Sequence, residues 1–203
     1  MGTVTDITEN RGLVEIAVDR TAVARVRKAH FSKCPVRVGD DIDPEAYVER
    51  LASVQFADGY EAALTSLDFC ARSGREIANA LRRKGYVEPA IQAVVSRLTE
   101  NGLIDDARYA QRMAEVQSNK PVGVYAFKRR LRAKGICEED AEAALSAFDD
   151  DQQRKAARAA AEKLLRRYAE LPEREARAKL SQALARRGFG WDAIEGALDE
   201  WFD

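Results

Sequence analysis

The chain has 203 residues, 46% hydrophobic and 33% charged, with 33 basic residues against 34 acidic ones and a formal net charge of −1. This composition describes a folded chain able to bury a substantial core and excludes a disordered or membrane-embedded one. Near-neutrality excludes a bulk field that would draw in nucleic acid or anionic lipid, so any basic patch has to be local.

The opening MGTVTDITEN lacks the charged-then-apolar design of an export signal, and no run approaches the roughly 18 apolar residues of a membrane span. Cys34, Cys70 and Cys137 are odd in number and far apart, which gives neither a disulfide framework nor metal-ligand spacing. An intracellular, cytoplasmic protein without a membrane partner is expected, with the cysteines as small, mostly buried fillers.

Residues 1–57 read as a small β-containing module. Val14, Ile16 and Val18 alternate with Glu15, Ala17 and Asp19, the period-2 signature of a half-buried strand. VTDIT before the ENRG turn and AVARV after Arg20 complete a three-stranded meander. In VGDDIDPEAYVERLA a turn leads into a helix, with Asp43 as N-cap and Pro44 at the first helical position.

From residue 58 the texture becomes helical. LRRKGY at 81–86, LRAKGI at 131–136 and LARRGF at 184–189 repeat one string, with glycines at 85, 135 and 188. Four residues before each glycine stand Leu81, Leu131 and Leu184; eight before stand Ile77, Phe127 and Leu180. Six after stand Ile91, Ala141 and Ile194, ten after Val95, Leu145 and Leu198, thirteen after Leu98, Phe148 and Trp201. These are core positions of two consecutive helices. A further helix precedes each pair, in EAALTSLDFCA, DARYAQRMAEV and RKAARAAAEKLLRRYA. The expected fold is therefore mainly α: an elongated array of three tandem three-helix repeats, 58–103, 104–150 and 151–203, behind the N-terminal meander and helix. In the first unit Ser73 and Glu76 have capping-box spacing, and Gly85 suits the left-handed residue that closes a helix.

Charge is partitioned within each unit. The middle helices are basic: residues 75–84 carry four bases and one acid, 122–134 five bases and no acid, 173–187 five bases and two acids. The helices that follow are acidic, with five acids at 138–149, four at 191–202, and two acids against one base at 88–101. Basic residues in a last helical turn are favoured by the helix dipole, and some of these cations could pair with acidic helices of neighbouring units. Helix-end preference does not account for Lys128, Arg129, Arg130, Arg132 and Lys134 crowded on one helix, while pairing with acidic helices of neighbouring units stays open as the alternative to an exposed stripe. An exposed surplus would form a stripe fit to track phosphates or an acidic protein groove. Arg82, Arg83, Lys84, Arg186 and Arg187 flank it as further candidates for such contacts. A helix-turn-helix reading fails, because the would-be recognition helix is net acidic in all three units.

RSGREIANALRRKGY, NGLIDDARYA, FKRRLRAKGI and LSQALARRGFGWDAIEGAL, in that order and spacing, closely resemble the successive repeats of the RecX regulatory proteins of bacteria. The resemblance covers about residues 60–202 and extends more weakly to VDRTAVARV and VGDDID. L-x-x-K-G alone is a weak motif; three in register around GLIDDARYA are specific. The resemblance implies a modulator of the RecA recombinase, usually an inhibitor, that binds in or along the groove of the RecA nucleoprotein filament. It would restrain ATP hydrolysis, strand exchange and the co-protease activity that triggers the SOS response, in DNA repair and recombination. The chain departs from the family in SNKPVGVYAFK, where members often carry a denser basic and glycine-rich run, and in its near-neutral charge. Both weight contact with the recombinase over contact with DNA.

Catalysis is not expected. His30, in KAHFSK, has no second ligand or nucleophile nearby in sequence and reads as a surface or half-buried structural residue; Asp105 and Asp106 read as caps, not a metal site. No glycine loop for phosphate is present, so no cofactor is expected. A monomer is expected. A general nucleic-acid binder and a purely protein-binding scaffold stay open beside the recombinase regulator.

Overall fold

The computed structural model describes residues 1–118 and 120–202; Asn119, in the SNKPVGVYAFK segment, and Asp203 lie outside the described residues. The chain divides into two compact units, residues 1–105 and 106–203. Ten helices and one four-stranded sheet are seen among the described residues.

In the first unit, β1 (Gly2–Asn10), β2 (Leu13–Val18) and β3 (Thr21–Arg27) form an antiparallel meander. Its two hairpins turn on Arg11–Gly12 and Asp19–Arg20, all four with positive φ, the two-residue geometry that matches strand twist. The ENRG turn is thus narrower than expected, because Glu9 and Asn10 stay in β1. A fourth strand that the sequence did not announce, β4 (Asp41–Ile42), pairs with Gly2 and Thr3 and gives the order β3-β2-β1-β4. It hides in VGDDID because two residues carry no periodicity.

Four helices follow: α1 (Lys28–Phe31), α2 (Pro44–Phe69), α3 (Gly74–Arg83) and α4 (Glu88–Glu100). Asp43 Oδ1 caps α2 by accepting from the Glu45 and Ala46 amides at 3.0 and 3.3 Å, with Pro44 opening the helix. The expectation of separate helices on either side of residue 58 is corrected, since α2 runs unbroken through it. Gly59, a residue that weakens a helix, stands at mid-helix for a packing reason: a Cβ there would lie 3.2 Å from the Tyr86 ring and 3.3 Å from Val94. The first half of α2 packs Tyr47 and Leu51 onto the buried sheet face of Val4, Val14, Ile16, Val18 and Val26. Its second half contributes Ala63, Phe56 and Tyr60 to the core of Ile77, Leu81, Ile91, Val94 and Leu98.

The second unit holds α5 (Asp106–Ser118), α6 (Val124–Ala133) and α7 (Glu138–Leu145), then α8 (Asp150–Tyr168), α9 (Glu173–Arg186) and α10 (Trp191–Phe202). Each trio closes its own core, one around Phe127, Leu131 and Ala141, the other around Leu180, Leu184, Ile194 and Leu198. The core register expected from the repeats is largely present, with one shift. Nine residues after each glycine, Val94, Ala144 and Ala197 are fully buried, while Val95 and Leu145 one position later are only half-buried.

The repeated string is a helix-ending motif. In each repeat the glycine has φ between 82° and 84°, and the next residue's amide reaches back to the leucine carbonyl: Tyr86 to Leu81 at 3.3 Å, Ile136 to Leu131 at 3.1 Å, Phe189 to Leu184 at 3.3 Å. The glycine amide bonds the carbonyl between, on Arg82, Arg132 and Ala185 at 3.1, 3.0 and 2.9 Å. This is the Schellman closure, with its apolar contact between the residue after the glycine and the leucine three places inside the cap; all six apolar residues are buried.

Two of these closures are also docking points. The ideal Cβ of Gly85 would stand 2.6 Å from Leu13 of the sheet. That of Gly188 would stand 2.2 Å from the Ala126 amide at the start of α6, and that of Gly123 2.0 Å from Gly188. Tyr125 N–H donates to the Gly188 carbonyl at 2.9 Å and Gly123 N–H to the Arg187 carbonyl at 3.3 Å. Buried glutamines brace both places: Gln55 accepts from the Val87 amide at 2.8 Å and donates to the Gly85 carbonyl at 3.0 Å, while Gln153 accepts from the Val124 amide at 3.0 Å.

Expectations for His30 and the cysteines are corrected. His30 is buried: its Nε2 lies 3.0 Å from Asp58 Oδ2 and its Nδ1 3.2 Å from Gln55 Nε2. Tyr86 O–H donates a short bond to the same Asp58 oxygen, and Arg27 reaches Asp58 at 3.4 Å and the Lys84 carbonyl at 3.1 Å. Its near sequence does not reveal this burial, because Gln55 and Asp58 of α2, which hold the ring, come 25 and 28 residues later in the chain. Cys34 is half-buried and Cys70 and Cys137 are exposed, because the last two cap helices, where backbone groups face water. Cys137 Sγ accepts from the Asp140 amide at 3.5 Å.

Burial holds the His30 imidazolium pKa below its usual value against the opposing pull of Asp58, whereas the Tyr86 bond leads the causes that lower the Asp58 carboxyl. A histidine with a lowered folded pKa contributes stability above its unfolded value of about 6.5 that is lost as pH falls through the folded value. The first unit is therefore expected to loosen below about pH 6.5. Intrinsic-rate-corrected amide exchange in β2 and β3 should show this in the wild-type chain, with a smaller pH step in His30→Gln.

Gly188→Ala should destabilise by more than about 2 kcal/mol, since it adds a backbone clash to the roughly 1–2 kcal/mol cost of a left-handed alanine. Gly12→Ala, with φ of 77° and open space around it, should cost only the latter. Denaturant unfolding followed by circular dichroism distinguishes the two.

Candidate interface on the basic helices

Arg82 of α3 and Lys128 and Arg132 of α6 are held by acids of the helix that follows the closure. Arg82 Nε and Nη2 grip Glu88 across the first closure at 2.6–3.0 Å, and Nη1 donates to Asn79 at 2.6 Å. Arg132 grips Glu138 in the same manner at 2.8–3.0 Å. Lys128 lies between Glu138 and Glu142, the latter at 3.4 Å. These contacts raise the Lys128 pKa and lower that of Glu138, the hydrogen bond between them being the first cause of each shift.

The apparent surplus on α6 is thus smaller than the sequence suggested, and its partners lie on α7 of the same trio. Arg130 donates to Gln117 at 2.8 Å, Lys134 Nζ sits 5.6 Å from the Tyr109 ring centroid, and Arg187 donates to the Ala160 carbonyl at 3.2 Å. Arg83, Lys84, Arg129 and Arg186 are exposed with no side-chain ionic or hydrogen-bond partner among the described residues. Exposed pairs such as Arg82–Glu88 contribute about 0–1 kcal/mol each, so they orient the side chains more than they stabilise the fold.

Within the second unit the closure at Gly188 presses on the start of α6, so Arg129, one turn into α6, and Arg186, in the last turn of α9, flank one junction. Arg83 and Lys84 belong to the first unit, where the closure meets the sheet.

Further cations stand on α8. α8 carries Arg154, Lys155, Arg158, Lys163, Arg166 and Arg167 against three acids. Lys120, Lys155 and Lys163 line an open hollow of about 400 Å³ floored by Pro121, Ala156 and Ala159. A charge count extended to the first helix of the third repeat would have found this face. Trp191 and Tyr125 are large and exposed; the signal for Trp191 was its place three after the glycine, where the other repeats have glutamate.

No helix among the described residues is long and apolar enough to cross a membrane. The family models for the first, second and third three-helix domains of RecX match residues 60–98, 105–145 and 150–198. A regulatory protein RecX of Bacillus licheniformis is 30% identical over 198 residues, covering 94% of this chain and 73% of that protein. A crystal structure of regulatory protein RecX superposes with a TM-score of 0.69 at 26% identity, over 98% of this chain and all of the other. That of RecX from Lactobacillus salivarius gives 0.65 at 31% identity, over 73% of this chain and 97% of the other. With three matched domains in order, each closed by the same leucine–glycine cap, the chain belongs to the RecX family of regulatory proteins.

Proposed function

We propose that this protein binds the RecA–DNA filament in the cytoplasm as a monomer and inhibits its ATP hydrolysis, strand exchange and SOS co-protease activity. Family membership across all three repeats carries this reading. The exposed, unpartnered Arg83, Lys84, Arg129 and Arg186 support it by giving both compact units a cationic edge without a competing internal acid. Several modest contacts on one chain act as tethered ones, so none has to be strong. The face proposed here is narrower than a charge count suggests: Arg129 and Arg186 lead, while Lys128, Arg132 and Arg82 are committed to Glu138, Glu142 and Glu88.

The lysine-lined hollow on α8 favours direct contact with phosphates as part of the same binding event. Neutralising four phosphates of a single strand would give a log–log salt slope of about −3, whereas a protein-binding scaffold would show no affinity for DNA.

DNA-stimulated ATP hydrolysis by the cognate RecA, titrated with this protein at two salt concentrations, is the deciding experiment. Substoichiometric inhibition is expected; an absence of effect would refute the reading. The double variant Arg129→Glu/Arg186→Glu should require about tenfold or more protein for half-inhibition, equivalent to about 1.4 kcal/mol, with unchanged helical circular dichroism. Arg132→Ala should shift the same curve by less.

A further inference from the structure

The third repeat departs from the other two at the outer side of its cap. Three residues before the glycine and three after it, repeats one and two carry the bridged pairs Arg82–Glu88 and Arg132–Glu138. Repeat three carries Ala185 and Trp191 there. Trp191 is 67% exposed, and is absent from the core that takes in Trp201.

A second aromatic stands beside it. Tyr125, in the first turn of α6, is 58% exposed. Its amide is fixed to the Gly188 carbonyl at 2.9 Å, and its ring edge lies 3.4 Å from where a Cβ on Gly190 would be. The tyrosine ring therefore lies against the residue adjoining Trp191. Arg129 follows Tyr125 by four positions on α6, the spacing of same-face neighbours, and Arg186 closes the last turn of α9; both are exposed.

We propose that this junction is a stacking platform for the bases of a single nucleic-acid strand, with Arg129 and Arg186 on its phosphates. Two open aromatic faces beside unpaired guanidinium groups are the elements of sequence-tolerant single-strand binding. A protein-binding core would be richer in apolar surface, yet in the second unit Val116 on α5 is the other large exposed hydrophobic among the described residues. Asp192, in the first turn of α10, disfavours phosphate on that side and leaves the α6–α9 side for the backbone. The proposal rests on the filament reading for its setting, since a nucleoprotein filament carries such a strand, but its binding chemistry requires no recombinase.

The test uses Trp201→Phe, which leaves Trp191 as the sole tryptophan of the chain. Titration with oligothymidylate at low salt should quench Trp191 emission and high salt should reverse it, while a DNA duplex of equal length, its bases already stacked, should not quench. In a tryptophan-independent assay such as anisotropy of labelled oligothymidylate, Trp191→Ala and Tyr125→Ala should each weaken binding roughly 5- to 150-fold. Trp191→Phe should retain most of the affinity. Absence of binding, unchanged emission at saturation, or affinity unmoved by both alanine variants overturns the proposal. If the alanine variants lose inhibition of RecA but bind oligothymidylate as before, the junction is a protein contact; the proposal is overturned and the filament reading stands. Quenching without any effect on RecA refutes the filament reading and supports the platform.

Discussion

A left-handed glycine following a helix, with a leucine inside the cap and an apolar residue beyond it, is the constraint on which the helical part of the chain depends. A helix leaves its last carbonyls without partners, and the closure returns two amides to them within a few residues. Because the same closure sends the next helix back against the one it ends, it fixes the geometry of each pair, and the leucine becomes the centre of each trio's core. Absence of a side chain at glycine has a second use here. At Gly188 and Gly123 it lets the third trio's cap touch the backbone of the second within van der Waals limits that alanine would breach. Capping and assembly are therefore satisfied by one atom's absence.

Charge follows from that geometry more than it drives it. The arginine inside the cap and the glutamate that opens the next helix are six residues apart in sequence, and the turn brings them face to face. Each is also favoured where it stands by its own helix dipole. Two of the three closures thus join a base of the middle helix to an acid of the next. The charge left available to a partner is the remainder after this pairing is removed: a few unpartnered cations rather than a continuous stripe.

Local sequence carried what is local. Ser73–Glu76, Asp43–Pro44, the cap glycines and the alternation of β2 all depend on residues within a few positions, and each stands in the structure as expected. Tertiary partners were not legible. Nothing near His30 announces Gln55, Asp58 and Tyr86; β4 is too short for a period; and the reason for Gly59 at mid-helix, the Tyr86 ring, lies 27 residues on. The candidate site shows the same division. Composition identified the basic helices, but only the turn geometry separates Arg132, committed to Glu138, from Arg129, which has no such partner.

The unbroken run of α2 also bears on how such a chain can diversify. One half of the helix completes the sheet and the other completes the first trio, and Gln55 between them bonds backbone on the far side of the closure. A break placed anywhere along this helix would leave two fragments with raw apolar faces and an orphaned buried amide. Gene duplication or exchange of the first repeat therefore has to carry the strands with it, whereas the loop between α7 and α8 offers a boundary that a duplicated three-helix unit can respect.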